Sequence, residues 1–125
     1  MKSAYLLIAH GSREAEAGRS FKALVKKFSE LRPKCLVEGA FLQISKPTVP
    51  QAIKKCAAAG AGRIFVIPLF LFPGRHVKED IPRYIEEAKI RNPAVDFHYA
   101  RPLAEMPGLV RFLDISLEIS AKGKR

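Results

Sequence analysis

The chain has 125 residues, 22 Lys+Arg against 12 Asp+Glu for a formal net charge of +10, and 48% hydrophobic residues. That length suits one domain, and that apolar content suits a packed core rather than a disordered chain. No apolar run approaches the roughly 18 residues of a membrane span. The run over residues 5–9 is too short for the core of a secretory signal, so a cytoplasmic protein is expected. Two cysteines, Cys35 and Cys56, are too few for a disulfide scaffold or a thiolate zinc site and read as core residues. The excess of positive charge points to an anionic partner: nucleic acid, anionic lipid or an acidic small molecule.

In chain order, Tyr5-Leu6-Leu7-Ile8-Ala9 is a near-continuous apolar strand, the pattern of a strand buried on both faces. His10-Gly11-Ser12 ends it, with Ser12 as the expected helix N-cap. Phe21, Leu24, Val25, Phe28 and Leu31 recur at helical spacing until Pro33 stops the helix. A second strand is expected over 35–42. A second helix follows from Pro47, with Val49, Ala52, Ile53, Cys56 and Ala57 inward and Gly60 and Gly62 at its C-terminal turn. The third strand, 63–72, is the most apolar. Pro68 lacks a ladder donor and should mark a bulge or the strand's end. After the turn Pro73-Gly74-Arg75-His76, a third helix carries Val77, Ile81, Tyr84, Ile85 and Ala88 on one face, regular from about Ile81. Residues 95–100 alternate in polarity, as an edge strand does. A last helix over 107–120 is expected to bury Leu109, Val110, Leu113 and Leu117. The domain thus covers 1–120 and leaves 121–125 as a basic tail.

Strict β-α alternation argues for a single-domain α/β fold: a four-stranded parallel sheet of order 2-1-3-4 with helices on both faces, flavodoxin-like. Ligands of such sheets bind beyond the C-terminal strand ends where the strand order reverses, here between the first and third strands. His10 ends the first strand and His76 follows the third, so two of the three histidines fall at that crevice. His98 lies inside the fourth strand and reads as structural. Two imidazoles are too few for a closed zinc site, but they suit an open site that hands a divalent metal on, or proton transfer near neutral pH. Gly11 and Gly74 allow close approach of backbone to a ligand. Residues 12–15 open a helix whose amides favour an anion. Arg13, Lys46, Arg75, Lys78 and Arg101 all fall at the same edge. The other basic residues are dispersed, and no aromatic-basic RNA motif is present, which disfavours nucleic acid.

Three stretches, LLIAHGSREAEAGRSF from Leu6, AFLQISKPTVPQAI from Ala40 and GAGRIFVIPLFLFPGRHVKEDIP from Gly60, cover about two thirds of the chain and resemble the small sirohydrochlorin chelatases of the CbiX/SirB family. The resemblance implies insertion of cobalt, iron or nickel, as a divalent substrate, into a macrocycle bearing eight carboxylates, with no organic cofactor. It implies His10 and His76 as metal-site and catalytic residues. It implies substrate contacts from Gly11, Ser12, Arg13, Gln43, Lys46, Arg75 and Lys78, a homodimer holding the macrocycle in a cleft, and neither nucleic acid nor membrane as partner. One departure stands out: where the family reads Phe-Leu-Glu, this chain has Phe41-Leu42-Gln43. Gln43 offers a carbonyl oxygen but cannot take a proton. Glu38 is expected on the opposite strand face, and Glu79 and Asp80, after His76, are better placed, Asp80 to orient its loop. The alternative implied by Gln43 is a catalytically weakened tetrapyrrole- or metal-binding protein.

Overall fold

The computed structural model describes residues 1–122. Its elements alternate: β1 (Ser3–Ala9), α1 (Ala15–Leu31), β2 (Leu36–Phe41), α2 (Val49–Ala58), β3 (Arg63–Pro68), a π-helical turn His76–Asp80, α3 (Ile81–Arg91), β4 (Asp96–Tyr99), a 3-10 turn Leu103–Glu105 and α4 (Gly108–Lys122). The four strands form one parallel sheet in the order β2-β1-β3-β4, as the alternation and the apolarity of the first and third strands predict. None of the described helices is long and apolar enough to cross a membrane.

The sheet has one dry face. Ala4, Leu6, Ile8, Ala40, Ile64 and Val66 alternate onto it and meet Val49, Ala52, Ile53 and Cys56 of α2 and Ile81, Ile85 and Ala88 of α3. Several of these side chains are fully buried, and each buried Leu, Ile or Val contributes about 1.5–3 kcal/mol of transfer free energy. Burial also pushes the Cys56 thiol up to about 11, aided by the nearby Glu38 carboxylate, so this cysteine stays a neutral core group. The other face is covered less. There α1 sits over β1 and β2: Phe28 meets Tyr5 edge-on at 5.4 Å and Phe21 meets Phe41 at 5.1 Å. Gly39 lets the helix in, since a Cβ there would press on the Phe21 ring and Val25. None of α1 is fully buried, and Leu24 and Leu31 face solvent although they share the helical period.

Several boundaries differ from the sequence expectation, each for a local reason. Ser12 is not the N-cap; Glu14 holds that position without a side-chain cap, and the Ser12 hydroxyl instead accepts the Glu14 amide at 3.0 Å in a hydroxyl turn. Strand β2 is trimmed to 36–41. Helix α2 starts at Val49 rather than Pro47 because Thr48 and Gln51 form a reciprocal capping box; Pro47 lies before it, after a cis peptide. Strand β3 ends at Pro68, which has no N–H to give, and after one further bond from Leu69 residues 70–72 leave the sheet. Strand β4 is 96–99, at the edge. Two residues assigned to the tail, Ala121 and Lys122, belong to α4, and 123–125 lie outside the described residues. The largest departure is α4 itself: Leu109 is half-buried, but Val110, Leu113 and Leu117 are 74%, 51% and 70% exposed. Among the described elements it lies nearest the 3-10 turn.

The seat of α1 on Gly39 is testable. Gly39→Val should destabilise the domain by about 1–3 kcal/mol through overpacking, read as a lower urea midpoint with an unchanged slope. An unaltered midpoint would mean that α1 does not pack there.

Candidate metal centre

Parallel pairing continues past the ends of the strands, and this continuation builds the site. Leu69 N–H donates to the Ile8 carbonyl at 2.8 Å, carrying the β1–β3 contact one step beyond Pro68. On the other side, Leu42 N–H donates to Ala9 O and Gln43 N–H to His10 O, at 3.0 and 3.1 Å. His10 is therefore held by backbone bonds from β2's extension while β3's extension runs alongside. Gly11 turns the chain away with φ +102°, and a side chain there would collide with the Gln43 carbonyl. That carbonyl also accepts Ser45 N–H at 2.7 Å across Ile44, whose φ is +70°. This is a γ-turn with a β-branched residue in the left-handed region, a strain of about 1–3 kcal/mol held beside the site.

His76 comes from the π-helical turn. Its Nε2 lies 3.1 Å from the Nε2 of His10, with ring centroids 4.8 Å apart. The two nitrogens carry one hydrogen bond between them, or one cation. Nitrogen ligands at about 2.0–2.1 Å from one ion stand roughly 3 Å apart at neighbouring corners of its coordination shell. The pair thus has the bite of a divalent-metal site. The far nitrogens are partnered too. His76 Nδ1 lies 2.6 Å from Asp80 Oδ2, and an ionised carboxylate only accepts, so Nδ1 carries the proton and Nε2 keeps its lone pair for a metal. Asp80 is itself steadied by Arg83 at 3.5 Å. His10 Nδ1 faces Gln43 Nε2 at 3.4 Å and Gly11 O at 3.3 Å. With His76 Nε2 an acceptor, His10 donates from Nε2 and its Nδ1 accepts from the Gln43 amide. Shifting that proton to Nδ1, where the Gly11 carbonyl can accept it, frees the second Nε2 for a metal.

The π turn is anchored from the sheet edge. Tyr99 on β4 donates its hydroxyl to Val77 O at 2.8 Å, and burial pushes the phenol up to about 12, so it remains a donor across the physiological range. Phe70 borders both imidazoles, with centroid separations of 6.2 and 6.4 Å. Ile44, Leu71 and Phe72 stand exposed in the same loops. The site opens to solvent through an apolar rim.

Of the residues singled out from sequence, His10, His76, Gly11 and Gln43 converge. Arg13, Lys46, Arg75, Lys78 and Arg101 all leave C-terminal strand ends and are exposed, one or two per loop. Arg75 is drawn to Glu79 at 3.7 Å. His98 stacks on Phe65 at 5.1 Å and pairs with Asp96 at 2.9 Å, a structural part of the sheet face. Glu38 pairs with Lys55 and is not part of the histidine cluster. Two basic residues were missed. Arg19 and Lys22 line a depression of ≈ 280 Å³ together with Ser12, Gly18 and Ser45. The spacing Ala15, Gly18, Arg19, Lys22 along one helix stripe was the available signal. A larger groove, ≈ 380 Å³ between α2 and α3, contains none of these residues.

Known proteins resemble this chain closely. A sirohydrochlorin cobaltochelatase of Priestia megaterium is 38% identical over 123 residues, which is 98% of this chain and 39% of that protein. Among solved structures, the sirohydrochlorin chelatase SirB from Bacillus subtilis subspecies spizizenii, in complex with cobalt, superposes with a TM-score of 0.74 at 33% identity over 82% of this chain and 44% of that one. A single-lobed structure from Marinobacter aquaeolei VT8, described as a putative cobalamin biosynthesis CbiX protein, shares the fold over 98% of this chain and 99% of its own, with a TM-score of 0.81 at 24% identity. The chain spans only 37–57% of the length of the curated relatives it matches. The CbiX family model matches residues 4–119, and the chain belongs to the CbiX family.

Proposed function

We propose that this chain inserts a divalent metal into sirohydrochlorin, as a homodimer in the cytoplasm, the compartment in which free thiols such as Cys35 and Cys56 persist. The observation that carries the reading is the 3.1 Å approach of the His10 and His76 Nε2 atoms at the sheet's switch point, in a chain of the CbiX family. Cobalt or iron as the metal is supported by the names of the relatives, sirohydrochlorin cobaltochelatases and ferrochelatases. Nickel has the same borderline preference for imidazole. The metal is a substrate, so a site with two protein ligands and open positions fits the work better than a closed one.

Insertion removes two protons from the pyrrole nitrogens and takes the metal off two imidazoles. The facing Nε2 lone pairs that lose the metal take up one of these protons between them as a hydrogen bond, and the other goes to solvent water at the open site. Asp80 holds His76 in its tautomer, and Gln43, lacking acid-base function, positions His10 through hydrogen bonding. The macrocycle's carboxylates would meet the basic residues around the crevice: Arg13, Lys46, Arg75 and Lys78, with the α1 opening at Ser12. Arg19 and Lys22, in the depression beside it, extend this rim. The exposed Ile44, Leu71 and Phe72 give the flat ring an apolar shelf.

Insertion is read as the absorbance change of sirohydrochlorin on addition of Co²⁺, Fe²⁺ or Ni²⁺. The expected result is turnover with at least one metal, lost by about 100-fold or more in His10→Ala and in His76→Ala; no turnover with any of the three removes the enzyme reading. Asp80→Asn should weaken Co²⁺ binding by about 10–100-fold, because the amide no longer fixes the His76 tautomer, as measured by titration calorimetry. Gln43→Glu should change the insertion rate by less than about 10-fold. A gain of 100-fold or more, the scale of a missing general base, would instead identify the natural chain as the weakened binding form.

A further inference from the structure

The most conspicuous apolar surface outside the histidine site is α4. Val110, Leu113 and Leu117 lie on one flank of it and Phe112, Ile115 and Ile119 on the other, and all six are between 48% and 74% exposed. At about 100° per residue the two flanks join into an apolar arc of roughly 220°. Only Arg111, Asp114 and Glu118 form the polar stripe opposite. A helix laid on one sheet face buries an arc of about 100°. An arc twice that width requires cover from two sides, more than the chain's own sheet supplies.

The sheet has a matching vacancy. On the face that carries α1, the register places Tyr5, Phe65 and His98 in one row across β1, β3 and β4. Helix α1 covers the β1–β2 half. Over β3 and β4, Phe65 and Ile67 are only half-buried and His98 is exposed, while α4, the helix that could cover them, keeps its apolar side chains in solvent. The strip is open, apolar at its centre and about one helix wide.

We propose that α4 is an exchanged arm: in a dimer of this chain, each α4 lies across the β3–β4 face of the other copy, one flank on Phe65 and Ile67 and the other buried at the junction between the two protomers. This deepens, and rests on, the homodimer reading above. The six exposed side chains of α4 present roughly 500–600 Å², and the strip that the same protomer offers its partner brings the total to the order of the ~800 Å² per partner that a stable interface buries. The arrangement is isologous, so the helix of each copy fills the strip of the other and the assembly closes at two. It leaves the C-terminal strand ends, and with them His10 and His76, outside the contact made on the sheet face.

The test uses the whole chain. Light scattering after size exclusion is expected to give a dimer, and the Leu113→Lys, Leu117→Lys double variant, altered only at exposed positions, should dimerise at least ~100-fold more weakly while keeping its circular dichroism. A benzophenone side chain introduced in turn at Phe112 and Leu113, in a mixture of ¹⁴N- and ¹⁵N-labelled protein, then reports which chain receives α4. Capture of a β3–β4 peptide from the other isotope supports the exchange. Capture only within the same isotope, or none on β3–β4, in a protein that is dimeric overturns the exchange and leaves the dimer standing. A monomeric natural chain overturns both.

Discussion

The structure depends on one constraint, the parallel register of β1 against β3. Strands far apart in sequence become neighbours only because the chain crosses over the sheet between them, and their C-terminal ends then diverge into separate loops. Ile8 stands opposite Pro68, and the single further bond from Leu69 to Ile8 keeps the two backbones together for one more residue. That residue is decisive. It sets where β1's His10 and β3's outgoing loop leave the sheet, and the π turn that follows delivers His76 to the same point. A slip of one residue would turn His10 to the opposite sheet face and break the pair.

The site that results is a chain of four neighbouring side chains, Asp80, His76, His10 and Gln43, with gaps of 2.6, 3.1 and 3.4 Å. Its two ends are chemically unlike. The carboxylate end accepts Nδ1–H and holds its imidazole in one tautomer. The amide end does not, since it donates or accepts with equal ease. His76 is therefore the fixed imidazole and His10 the adaptable one, and the asymmetry follows from an amide, Gln43, standing beside His10 where a carboxylate, Asp80, stands beside His76. The surrounding charge is arranged differently, as single basic residues, one or two from each loop at the strand ends. Such a rim matches a ligand whose anionic groups are spread around a ring better than a linear polyanion, which calls for a continuous basic track.

Much of this was legible in the sequence, because the signals were local. The apolar runs of β1 and β3, the alternation of β4 and the placement of Pro68 give element type and sheet order without any tertiary information, and the switch-point rule then selects His10 and His76 from three histidines. What escaped depends on groups meeting across the fold. The i, i+4 spacing of His76 and Asp80 was visible, but that their pair turns toward His10 required the loop that the π turn ends. The role of Tyr99 requires β4 to lie beside that turn. The N-cap shifted from Ser12 to Glu14 because a hydroxyl turn and an N-cap look alike in one dimension. Arg19 and Lys22 read as a solvated helix face until Ser45, from another loop, closes the depression they line.

The same distinction explains α4. Helical periodicity reports that Leu109, Val110, Leu113 and Leu117 share a face, and apolar faces are normally buried. It does not report against what. Reading the stripe as intrachain core assumed that the nearest sheet is the one that covers it, and the second stripe of Phe112, Ile115 and Ile119 was the sign against that assumption, since one face of one sheet cannot take both. An amphipathic helix with too much apolar arc for its own domain carries information about assembly. Here the domain's own open strip over Phe65 and Ile67 supplies the complementary half, so the surface left unsatisfied in one copy has the shape of the element left unsatisfied in the next.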